Sequence, residues 1–261
     1  TVAGSNKVTA GNSYQIFSLE EAENLGIEET GTNAFAHKHI KAFYAEAKKG
    51  AELWFMVVTQ AVTMEQMADL SESYAKKLLA DASGKIRILG ILKKSGSTET
   101  IADGLDSDVA LAVVKAQELC EDYSGRYFPV RAIISGNKFS GTVADLKDYK
   151  TTNFNKVSIL SANTDASKEA SIGLALGRLA SIPTQRKISR VKDGAVEPFN
   201  AYFTNGETVE SLDTAWDAIH NKNYIFLRSF ANRSGYYFTG DQTLTGATDD
   251  FNSLVRGLVM D

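Results

Sequence analysis

Three apolar runs, KIRILGIL (85–92), VRAIIS (130–135) and KVSIL (156–160), alternate with stretches of helical periodicity. This alternation constrains the fold more than any other feature. Continuous apolar runs suit strands covered on both faces. Strands joined by helices predict a parallel sheet sandwiched between them. The predicted class is α/β, with a largely parallel or mixed central sheet and helices on both faces.

Other segments follow the same pattern. Residues 14–17 predict a short strand, and Ser18 with Glu21 three positions later forms a capping-box pattern. Residues 33–49 place Ala36, Ile40, Phe43, Tyr44 and Ala47 on one helical face, with Gly50 where a left-handed cap is expected. LWFMVV (53–58) predicts another strand covered on both faces. Helices are predicted over 65–82, 109–123, 168–182, 209–220 and from 249 onward, with Pro183 ending the fourth of these six, counting 33–49 as the first. Further strands are predicted at 187–191, 224–230 and 235–240. The stretch 93–108 reads as a loop, and 136–155 as a loop or small insertion. The opening polar residues read as a loop or arm. No internal repeat appears, and the three prolines form no linker. One domain over 1–261 is predicted.

Composition excludes several classes. The net charge of -4, with no basic run of five, argues against nucleic acid as a partner. Arg186, Lys187, Arg190 and Lys192 cluster, but alternation around a strand describes a solvated face. A single cysteine, Cys120, excludes an internal disulfide, and its place on a helical apolar stripe reads as a small buried hydrophobe. No apolar run approaches about 18 residues, so membrane insertion is not expected.

Chemistry is hard to find. Gly136 and Gly141 have the spacing of a phosphate-binding loop, but Thr142 stands where that loop needs lysine. The glycines of GLALGRLA (173–180) lie inside a helix, where small residues four apart permit close helix–sheet packing. Asp103, Asp106 and Asp108 lack the distal glutamate of a calcium loop and read as caps for the helix at 109. His37 and His39 point about 200° apart on one helix and cannot share a metal. No zinc-binding, redox or nucleophile-elbow motif occurs. No catalytic, cofactor or metal residue is assigned, and the chain is expected not to be an enzyme.

The closing stretch, YIFLRSFANRSGYYFTGDQTLTGATDDFNSLVRGLVMD, resembles the motif of contractile phage tail sheath proteins. There an arginine-bearing strand leads to a glycine and an aromatic strand. Gly-x-Arg-Thr-Leu follows, then a segment ending Asn-x-Arg-Arg and a helix. The matching positions are Arg228, Gly235, Gly240, Thr243, Leu244, Asn252 and Arg256. Gln242 replaces the arginine before Thr-Leu, which removes any salt bridge made there. Asp241 and Arg233 join the candidates for turns or subunit contacts. QIFSLEEAENLGI, HKHIKAFYAEAKKGAELWFMVV and LALGRLASIPTQRKISRVKDG are similar to sheath-like proteins of Mu-like and Bacteroides-group prophages.

The resemblance implies a structural subunit that polymerises as stacked hexameric rings around an inner tail tube protein and contracts by rigid-body motion. It implies N- and C-terminal arms that add strands to neighbouring copies, and a chain that is a core with one or both arms removed. It places the protein in the bacterial cytoplasm before release, then in a virion tail or contractile injection apparatus. Two other readings stay open: a doubly wound α/β enzyme or small-ligand domain, and a self-assembling protein that does not contract.

Overall fold

A computed structural model describes residues 7–260. Part of the predicted polar arm, residues 1–6, lies outside the described residues.

β1 (Ser13–Ile16) leads into α1 (Leu19–Asn24). The Ser18 hydroxyl accepts from the Glu21 amide at 3.2 Å, and the Glu21 carboxylate reaches back to the Phe17 amide at 2.8 Å. This is capping-box reciprocity displaced by one residue. α2 (Ala34–Glu46) buries Ile40 and Phe43 as its stripe predicts, but it ends at an extended Ala47. The positive φ of Gly50 therefore serves the turn beyond the helix, not its cap.

β2 (Leu53–Met56) is a departure from expectation. It pairs antiparallel with β1 and is only partly buried at every position. Its alternation explains why: Leu53 and Phe55 face a small cluster around Ile16, Ala22, Ile27 and Ile40, while Trp54 and Met56 face the main core. An apolar run thus serves two clusters from outside the central sheet.

The helix expected over 65–82 is two, α3 (Met64–Ala68) and α4 (Ala75–Asp81). Thr63 and Gln66 complete a capping box at the start of α3. The break falls at Asp69, whose backbone is extended and whose carboxylate accepts from the Ser71 amide and hydroxyl, both at 2.8 Å. Such a local bond competes with helix continuation.

β3 (Ile88–Ile91) follows. The expected loop beyond it contains a hairpin, β4 (Ile101–Ala102) and β5 (Leu105–Asp106), turning through Asp103 and Gly104 at φ 53° and 75°. Two positive φ values in succession suit a two-residue hairpin turn. The three aspartates divide their labour. Asp103 makes the turn. Asp106 caps α5 (Ser107–Gly125) by accepting from the Asp108 amide at 3.0 Å. Asp108 caps α3 instead, accepting from Met64 and Glu65 at 2.7 and 3.0 Å.

β6 (Arg131–Ser135) is buried at every residue. Two short 3-10 turns, β7 (Asn153–Phe154), β8 (Val157–Leu160), β9 (Ala162–Asn163) and α6 (Ile172–Ser181) come next. The strand expected at 187–191 is irregular. Arg186 and Arg190 both reach the Asp193 carboxylate, at 3.3 and 3.0 Å, folding the basic cluster onto its own loop. β10 (Tyr202–Phe203), a kinked 3-10 run over Val209–Ala215, and α7 (Trp216–Asn221) lead to β11 (Tyr224–Ile225). The single strand expected at 224–230 divides there. After Phe226, β12 (Leu227–Arg228) turns away to pair antiparallel with β13 (Tyr237–Phe238). β14 (Leu244–Thr245) pairs with β7, and α8 (Leu254–Met260) closes the described chain.

The central sheet has the order β11–β8–β6–β3, all parallel. α5 packs along β6 and β8, and α6 along β3 and β6. Gly90 of β3 meets Ile172 and Leu176 of α6 so closely that a β-carbon would lie 2.6 and 2.9 Å from them. The glycines of GLALGRLA, however, face a helix rather than the sheet. A β-carbon on Gly173 would fall 2.0 Å from the His39 carbonyl oxygen, and one on Gly177 2.4 Å from that of Phe43. α2 and α6 therefore meet backbone to backbone. Among the described residues, no helix is long and apolar enough to cross a membrane.

Candidate functional site

In open parallel sheets, ligands bind beyond the carboxyl ends of the strands where the strand order reverses. The four parallel strands here follow chain order without reversal, so the described sheet has no such switch point. Its carboxyl end is also stitched shut. The Ser135 hydroxyl donates to the Asn137 side chain at 2.5 Å and accepts from the Ala170 amide at 2.8 Å. Asn137 donates to the Lys93 carbonyl at 2.9 Å, and Thr204 to the Gly136 carbonyl at 2.5 Å. A β-carbon on Gly136 would lie 2.5 Å from Ser161 Oγ, so the glycine spacing there serves dense packing.

The histidines are equally committed. His37 Nε2 lies 3.0 Å from Glu23, and His39 Nδ1 accepts from the Gly173 amide at 3.4 Å. They face different neighbours, as their spacing predicts. Burial pushes the Cys120 thiol up to about 12, so it stays protonated.

The closing motif forms a clasp within the chain. Asp241 is buried; its carbonyl accepts from the Leu254 amide at 2.8 Å and its carboxylate from the Val255 amide at 3.3 Å, which caps α8. Thr243 is buried and bonds residues 251 and 252 through both its hydroxyl (2.7 Å) and its amide (3.1 Å). Leu244 pairs with Phe154, and the Asn252 side chain donates to the Ala247 carbonyl at 2.6 Å. Gln242 fills its place without charge, donating to the Tyr224 carbonyl at 2.8 Å and approaching His220 Nδ1 at 3.2 Å. Gly240 leaves room for that amide: a β-carbon there would lie 1.9 Å from Gln242 Oε1.

Arg228 and Gly235 stand apart from the clasp. The Arg228 guanidinium lies over the rings of Trp216 and Phe230, at 4.9 and 4.7 Å. Gly235 takes a φ of 84° in the turn before β13. Arg256 is exposed, and its guanidinium lies 3.4 Å from Asp250.

Two concavities flank these elements. A polar recess of about 270 Å³ is lined by Lys187, His220, Asn223, Gly240, Asp241 and Asn252, among others. The groups around His220 balance against its protonation: burial lowers its affinity for the proton, Asp217 opposes, and Arg228, Lys150 and Lys187 add to the lowering. The second is an apolar groove of about 590 Å³ between β2 and β3, floored by Ile172, Leu176 and Leu179. Sequence reasoning missed it because β2 was expected inside the sheet. β3 is the sheet's edge. Its Arg87 carbonyl accepts from the Arg131 amide at 3.0 Å, so by strand alternation Ile88 and Gly90 turn their amide groups toward the groove.

This chain-ordered parallel sheet, with filled strand ends and an exposed β3 edge, belongs to a fold also seen in a solved sheath structure. The solved structure described as the helical sheath of the anti-feeding prophage (AFP) in its contracted state shares it, with a TM-score of 0.61 over 99% of this chain and 68% of that one, at 10% sequence identity. The chain belongs to the family described as DUF2586, N-terminal domain, whose model matches residues 1–242. No curated protein matches the sequence.

Proposed function

We propose that this chain is a structural subunit of a contractile, phage-type tail sheath. The fold it shares with the AFP sheath carries the reading. The filled carboxyl end of the sheet is in keeping with it, because the chain's own side chains occupy the strand ends beyond which other open parallel sheets hold ligands. The subunits polymerise as stacked hexameric rings around an inner tube protein. They work in the tail of a virion or an injection apparatus, after assembly in the bacterial cytoplasm. Residues 1–261 act as one core unit in this scheme.

The clasp residues Asp241, Thr243, Leu244 and Asn252 fix the end of the core, and the exposed Arg256 is available to a neighbouring copy. The free edge of β3 is where we place strand addition between copies, since main-chain amides facing an apolar groove suit that mode. Helical stacking then needs a second, different patch on each copy.

Sedimentation tests the reading. The protein, expressed with its tube partner, is expected to sediment as long polymers. Discrete monomers at all concentrations, together with a ligand that raises the melting temperature, would replace it with the small-ligand reading.

A further inference from the structure

We infer that α2 is an acid-released strap: as pH falls from neutrality toward about 4, it loses its seat on α6 and on residues 163–171 while the parallel sheet stays folded. The polar ties between α2 and the body run through His39 or through carboxylates, apart from one bond that acid leaves intact, from Lys38 to the Ser167 hydroxyl at 2.7 Å.

His39 is the first. Gly173 and Gly177 bring α6 against the carbonyls of His39 and Phe43 so closely that no β-carbon fits, and His39 is 6% exposed. Its Nδ1 accepts from the Gly173 amide at 3.4 Å, so Nε2 carries the ring proton. Among the described residues, nothing accepts from Nε2. A second proton would set N–H against N–H and place a charge in a dry seam. Burial, helped by Lys38 and opposed by Asp165, pushes the imidazole down to about 3.

The ionic ties use carboxylates. Lys38 reaches Asp165 at 2.9 Å and Glu169 at 3.5 Å. Burial alone would raise the Asp165 carboxyl, but bonds from Ser167 and Lys38 hold it below the ordinary range. The Glu46 carboxylate lies 2.8 Å from Arg178 of α6 and accepts from the Glu197 amide at 2.7 Å. On the far side, Glu23 of α1 faces His37, and Glu29 faces Lys41 at 2.8 Å; both stay with the small cluster that α2 carries.

The sheet responds differently. β6 and β8 are buried along their whole length. Burial raises the Asp106 carboxyl beside them, and Cys120 stays neutral, so acid opposes neither.

The sign follows from linkage. A histidine whose folded pKa lies below its unfolded 6.5 holds the seam fully closed above that pH. Below it the open form gains protons first, shifting the closed-to-open ratio up to about tenfold per pH unit. The Asp165 contribution is lost in the same direction, at lower pH.

Hydrogen exchange from pH 7 to 4.5, corrected for intrinsic rates, tests this. Protection of α2 amides is expected to fall up to about tenfold per pH unit below 6.5, with β6 amides unchanged. His39→Gln keeps an acceptor for Gly173 but does not titrate. It should remove the loss between pH 6.5 and about 5 and leave the carboxylate part below. Should that variant not fold, the imidazole carbon-bound proton resonance of His39 in the unaltered protein reports the same event. It should keep its neutral-form shift until α2 protection is lost. Loss of α2 and β6 protection together, pH-independent α2 protection, His39→Gln with the unaltered slope, or His39 titrating near 6.5 with α2 still protected would each overturn the proposal.

Discussion

Gly257 of α8 rests directly on the guanidinium of Arg131, so that a β-carbon on the glycine would lie 1.8 Å from Arg131 Cζ. Arg131 opens β6 and is fully buried. It donates to the Asn155 carbonyl at 2.9 Å and lies 5.1 Å over the Phe251 ring. The last described helix is thus seated on the sheet through one contact that only glycine permits. Two effects oppose each other in Gly257→Ala. Helix propensity favours alanine by about 1 kcal/mol. Overpacking against a buried side chain costs about 1–3 kcal/mol. Net destabilisation is expected, read as a lower denaturation midpoint in urea; a raised midpoint would show that α8 does not sit on Arg131.

Arg178 and Glu46 join α6 to α2 with both side chains 6% exposed. The Arg178 guanidinium also donates to the Asp193 and Ala195 carbonyls, at 3.0 and 2.7 Å. Removing one partner strands the other charge, so Arg178→Ala should destabilise by about 3–5 kcal/mol. Replacing both, as Arg178→Met with Glu46→Leu, should cost much less than the sum of the single changes. A double-mutant cycle in denaturant measures this, and additivity would mean the pair is solvated.

Tyr149 and Tyr224 meet edge to face at 5.7 Å. Burial holds both phenols well above the usual value of 10. In the unfolded chain they lose their protons near pH 10, while the folded state keeps them. Stability therefore falls as pH rises above 10. Absorbance at a phenolate wavelength should show these two tyrosines, and Tyr44, which burial also holds well above 10, ionising only together with the loss of tertiary structure. Smooth ionisation of all the tyrosines in a folded protein would contradict their burial.

The sheet was legible because β3, β6 and β8 are apolar runs between helices, and that pattern has few other uses. The α2–α6 seam was half legible. Glycines four apart in one helix announce a close backbone approach, but not whether its partner is a strand or a helix. Other errors share a cause: local chemistry overrode periodicity. Met67, Leu70, Tyr74 and Leu78 keep helical spacing through a chain that Asp69 and Ser71 break. Asp103-Gly104 is a hairpin signal, and the capping aspartates beside it obscure it. The groove beside β3 could not be read at all, because it exists only when β2 pairs with β1 instead of joining the sheet. The closing motif was visible as a resemblance. That Asp241 bonds the start of α8, and Thr243 the residues just before it, is a tertiary fact that no spacing shows.

Electron microscopy of negatively stained protein, alone and with the inner tube protein, decides whether this chain builds a sheath. The sheath reading predicts tubes built of stacked rings with sixfold symmetry. Compact single particles at every concentration, with or without the inner tube protein, would contradict it.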